Sequence, residues 1–95
     1  MKRAFSLGKI FMTGNVVKAI DTEVIFNAIK RHSNCDWGDL YPKDKKLNDD
    51  AVKHGNRRIV SIYHDARGTK FLITTEVDKS ATTVTLPGNR IIFIR

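Results

Sequence analysis

The sequence predicts a small α+β domain: an antiparallel β-meander of four to five strands with two helices packed on one face. Three observations predict it. Residues 57–95 form short apolar-alternating runs broken by Gly, Asp and Pro, the pattern of a meander. Residues 22–32 instead space their apolar residues at helical intervals. The chain has 95 residues, which suits one domain over 1–95 and no second.

Phe5 to Thr13 reads as the first strand, with Gly8 marking a bulge or a close neighbour. Thr13-Gly14-Asn15 punctuates the chain, and Asn15 caps a short helical turn through Val16, Val17, Lys18 and Ala19. The stronger helix begins after Asp21 or Thr22, with Glu23 in its first turn. Val24, Ile25, Ala28 and Ile29 form its apolar stripe, and Lys30, Arg31 and His32 suit the negative end of the dipole. His32 lies on the Ile25 face, so a packing role ranks ahead of a chemical one.

The stretch Arg31 to Pro42 follows as a loop and holds the only Trp and the only Cys. Trp37 anchors the core with its N–H bonded, and Gly38 takes a positive φ or admits a passing backbone. Asp36 and Asp39 cap backbone amides; the alternative is a carboxylate pair for a metal or an Arg. Cys35 is a small, partly buried loop residue, although His32 stands three residues away as a conceivable base.

Pro42 to Gly55 reads as the second helix, with Asp44 as N-cap and Gly55 as its stop. Leu47, Ala51 and Val52 give it a narrow apolar stripe, and Asn48 beside them bonds the preceding loop. The meander then runs Arg58–His64, Thr69–Val77, Ala81–Leu86 and Arg90–Arg95, with turns at 65–68, 78–80 and 87–89. Period-2 alternation puts Phe71, Ile73, Val84 and Leu86 under the helices. It puts Thr74, Glu76, Thr83 and Thr85 on a polar surface.

Composition narrows the function classes. One cysteine excludes an internal disulfide and argues against a Cys-based zinc site. Asp36, Asp39, Glu76 and Asp78 would suit Mg²⁺ or Ca²⁺ only if their loops met, so no metal and no cofactor is expected. No signal peptide or membrane span is read, which makes a cytoplasmic location the expectation. Net charge is +7, with 17 Lys and Arg against 10 Asp and Glu, and favours an anionic partner. No basic run exceeds two residues, so a merely solvated basic surface is the competing reading.

Two separated motifs carry a resemblance. His32-x-x-x-Asp36-Trp37-Gly38-Asp39-Leu40 is followed by Asn48 and Arg58-x-x-Ser61-x-Tyr63. Then comes Ile73-Thr74-Thr75-Glu76-x-Asp78-Lys79-Ser80-x-Thr82-Thr83-Val84-x-Leu86-Pro87. Over residues 6–87 this pattern resembles a family of small uncharacterised bacterial proteins from plasmid, phage and conjugative-element neighbourhoods. They are loosely labelled restriction-system associated. Residues 90–95 look like an addition to it. The family has no established activity, so the resemblance implies a context, an accessory gene of a mobile element, and no catalytic residues.

Three functions are therefore expected, in order. The first is a non-enzymatic binder that inhibits a host nucleic-acid-targeting defence complex, of the anti-CRISPR or anti-restriction type. Its contacts would be Lys43, Lys45, Lys46, Arg57 and Arg58, with Trp37 and Tyr41 as aromatic anchors. The second is a small metal-independent ribonuclease or nucleic-acid-binding protein. His32, Glu76, His64, Arg58, Lys79 and the Thr83 hydroxyl would supply its acid, base and phosphate contacts. The third is a subunit working as a homodimer through an exposed strand edge, with residues 90–95 as the candidate edge.

Overall fold

The structure is a computed structural model and describes residues 4–88. Strand β1 (Lys9–Met12) leads into α1 (Gly14–Ala19) and α2 (Thr22–Ser33). Helix α3 (Pro42–His54) precedes the strands β2 (Ile59–His64), β3 (Lys70–Thr75) and β4 (Ala81–Thr85). The four strands form one sheet in the order β1-β4-β3-β2.

Two expectations of the architecture need correcting. The sheet is mixed and not purely antiparallel: β2–β3 and β3–β4 are antiparallel, but β1 runs parallel to β4. The meander uses only one side of β4, so its other side accepts the N-terminal strand after a long crossover through three helices. The second correction is that third helix. Thr13, not Asn15, caps α1, its hydroxyl accepting the Val16 N–H at 3.4 Å. The expected strand at 90–95 lies outside the described residues.

Alternation decides what faces the helices. Tyr63, Phe71, Ile73 and Val84 point inward, meet Ile25, Ala28 and Ile29 of α2 and Val16 of α1, and bury with Leu7 and Ile20. Each such side chain stabilises the fold by about 1.5–3 kcal/mol through removal from water. The opposite face carries Val60, Ile62, Leu72 and Thr74, each half-buried. The expected polar surface there is only partly open, because Glu76 and Thr83 are buried.

A smaller cluster of Trp37, Ala51 and Ile59 joins α3 to the β2 edge. Asn48 fastens the join: its amide donates to the Val60 carbonyl at 2.7 Å, and its oxygen accepts the Val60 N–H at 3.3 Å. The partner expected for Asn48 was the preceding loop; strand β2 takes that place. Asp44 is not the N-cap of α3. Tyr41 is, because Pro42 fills the first turn, where a missing N–H leaves no bond unmade. Gly55 ends the helix at φ 65° and bonds the Ala51 carbonyl, as the sequence predicts.

Candidate functional site

The Asp36–Asp39 loop is built as a clasp on β2. Asp36 takes two hydrogen bonds from the Arg31 guanidinium, at 2.8 and 3.2 Å, and accepts the Gly38 N–H. The Arg31 bond holds the Asp36 carboxyl below its ordinary range. Arg31 also lies 4.8 Å above the Tyr63 ring, and the Tyr63 hydroxyl donates to the Asp36 carbonyl at 2.7 Å. Burial pushes the Tyr63 phenol up to about 12. Asp39 pairs with His64 at 2.7 Å, and its N–H donates to the Ile62 carbonyl. Gly38 sits at φ 71°, where a Cβ would overlap the Ile62 carbonyl oxygen. Only glycine lets the loop lie this close to the strand. Both loop acids thus have protein partners.

Trp37 is 3% exposed and its N–H donates to Asp49 at 2.9 Å, so its ring is turned into the fold and away from a partner. Cys35 donates its backbone N–H to the His32 carbonyl, and burial raises its thiol. The His32 ring is engaged elsewhere, and no thiol–imidazole pair forms.

His32 is fully buried and bridges two strands, β2 and β3. Its Nδ1 meets the Ser61 hydroxyl at 2.5 Å, and its Nε2 meets the Thr75 hydroxyl at 2.9 Å. Thr75 continues to Thr82 at 2.8 Å, and Thr82 donates to the Leu7 carbonyl at 2.7 Å. Hydroxyls carry one proton each, and a carbonyl only accepts. Thr82 therefore spends its proton on Leu7, Thr75 donates to Thr82, and His32 donates from Nε2–H to Thr75. Nδ1 then accepts from Ser61. With neutral imidazole this order satisfies every member, and burial, which pushes the His32 pKa from 6.5 down to about 3, favours that form. A ring closed in this way holds the sheet together; it does not reach a substrate.

The remaining ribonuclease candidates do not gather round it. Glu76 is 8% exposed and follows β3. Lys79 occupies the next turn at φ 62°, its ammonium on the Val77 carbonyl. Thr83 lies on the opposite sheet face from His32, its hydroxyl without a bonded partner among the described residues. Thr74 stands beside it in the register. Arg58 precedes β2, and His64 ends that strand against Asp39. Among the described residues no three His, Cys, Asp or Glu side chains come together to hold a metal. No helix among them is long and apolar enough to cross a membrane.

What the structure does bring together is a groove of about 300 Å³ between α3 and β2. Leu40, Leu47 and Val60 give it apolar walls, and Arg57, Arg58 and Asp44 supply its charges. Leu47 is 43% exposed, and Tyr41, at the head of α3, is 76% exposed. Lys43 follows the Leu47 side of the helix by its 3.6-residue period, whereas Lys46 lies about 100° round from Leu47. Lys45 points the other way, where its charge is felt by Asp36. Two of the expected basic contacts, Arg57 and Arg58, therefore line this concavity, while Lys43, Lys45, Lys46, Tyr41 and Trp37 are not among its lining residues.

Sequence reasoning missed the apolar walls and the hydroxyl chain. The signal for the chain was present: Ser61, Thr75 and Thr82 fall in the inward phase of their strands, among Ile59, Tyr63, Phe71, Ile73 and Val84. Small polar residues in that phase call for a buried partner. Compared with protein-family models, curated proteins and solved structures, the chain has no significant match.

Proposed function

We propose that this chain is a non-enzymatic binding protein whose working surface is the groove between α3 and β2. Its partner is an acidic, partly apolar protein surface, and the resemblance to mobile-element proteins makes that partner a host nucleic-acid-targeting defence complex. One observation carries the reading: Arg57 and Arg58 line one open concavity together with Leu40, Leu47 and Val60, on a chain of net charge +7. Exposed arginine around an apolar patch has the composition of interface hot spots. The apolar walls of Leu40, Leu47 and Val60 speak for a protein partner, since a phosphate backbone offers them nothing to bury. The ribonuclease alternative draws no support from His32, whose two nitrogens are both bonded inside the fold.

Capture from host lysate with and without nuclease tests this reading. A defined protein complex that survives nuclease supports it. Arg57→Glu with Arg58→Glu should then weaken capture at least about tenfold, the scale of a lost interface arginine. Recovery of nucleic acid alone, abolished by nuclease, would overturn the reading.

A further inference from the structure

We propose that the outer edge of β1 pairs with the same edge of a second copy of this chain, joining two sheets about a twofold axis through Phe11. Among the described residues, nothing pairs with that edge: β1 ends the strand order. Lys9 and Thr13 donate their N–H groups inward, to Ser80 and Val84. Alternation therefore turns the N–H and C=O groups of Ile10 and Met12 outward, unbonded within the sheet. The side chains there are apolar as well, Ile10 being 42% and Phe11 48% exposed. An open edge of this kind is a template for another strand, and Lys9 at its very end is the one charged residue of β1.

The register suits a second copy. Only outward-facing residues can bond across the axis. Setting Ile10 against Met12 of the other copy, antiparallel, bonds all of these groups on both strands at once. That register places Phe11 directly opposite its own copy on the open sheet face, an aromatic pair of the stabilising kind. It places Lys9 opposite uncharged Thr13, so no like charges meet. The two Lys9 residues end about 13 Å apart, four strand residues, which exceeds the screening length at physiological salt. What opposes pairing is the overall repulsion of two chains of net charge +7. Salt weakens that repulsion, so the dimer tightens as salt rises.

Sedimentation equilibrium of the full chain over a range of protein and salt concentrations tests the proposal. The expected result is a monomer–dimer equilibrium that shifts toward dimer with salt. Phe11→Lys, which sets two cations face to face, should weaken it at least about tenfold. Ile10→Pro, which deletes one outward N–H at a position where an edge strand accepts proline, should do the same. Circular dichroism confirms that each variant is folded. A chain that stays monomeric up to about 1 mM overturns the proposal. A dimer left intact by both folded variants, or one that loosens as salt rises, also overturns it.

Discussion

The two edges of the sheet are treated in opposite ways. At the β2 edge, every outward backbone group of Val60 and Ile62 has a partner: Asn48 bonds Val60, while Trp37 and Asp39 bond Ile62. At the β1 edge, the matching groups of Ile10 and Met12 face outward beside exposed apolar side chains. The difference teaches what a short edge can be used for. Closing β2 with a helix and a loop leaves a groove whose walls are side chains, suited to recognising a partner by charge and shape. Leaving β1 open presents backbone, suited to pairing with another strand. The His32 chain runs between the two, from Ser61 in β2 to the Leu7 carbonyl just before β1.

Three changes would break or sharpen this comparison, and the largest is a drop in pH. His32 binds fewer protons folded than unfolded between 6.5 and about 3. Its contribution is therefore complete above 6.5 and is lost as pH falls through that window, by up to about 5 kcal/mol. Urea unfolding as a function of pH should show this slope, and His32→Ala, although less stable throughout, should flatten it. Next comes Gly38→Ala, which forces a positive φ on a Cβ that meets the Ile62 carbonyl. It should cost about 2–4 kcal/mol and loosen the loop from β2, read as a lowered urea midpoint. The smallest is Asn48→Ala, which leaves both Val60 backbone groups without their partner. About 1–3 kcal/mol should be lost in the same assay, with the β1 edge unaffected.

Much of this was legible in the sequence, for identifiable reasons. The α2 stripe, the Gly55 stop, the buried Trp37 and the Gly38 backbone approach all follow from local rules that no distant contact overrides. The direction of β1 was not legible, because nothing in Lys9–Met12 distinguishes a parallel from an antiparallel neighbour. It depends on which side of β4 the meander leaves vacant. The groove was half legible. Arg57 and Arg58 announce themselves by charge, but the concavity exists only because Asn48 draws α3 against Val60. The Thr83 and Glu76 face was misjudged, since alternation assigns a side of the sheet without saying how deeply a residue is buried there.

The most direct measurement is residue-resolved amide hydrogen exchange of the folded chain at low and high protein concentration. The two edges should behave differently: the Val60 and Ile62 amides exchange slowly at both concentrations, whereas those of Ile10 and Met12 exchange fast when dilute and slow when concentrated. Fast exchange at Val60 and Ile62, or exchange at Ile10 and Met12 that ignores concentration, would contradict the account.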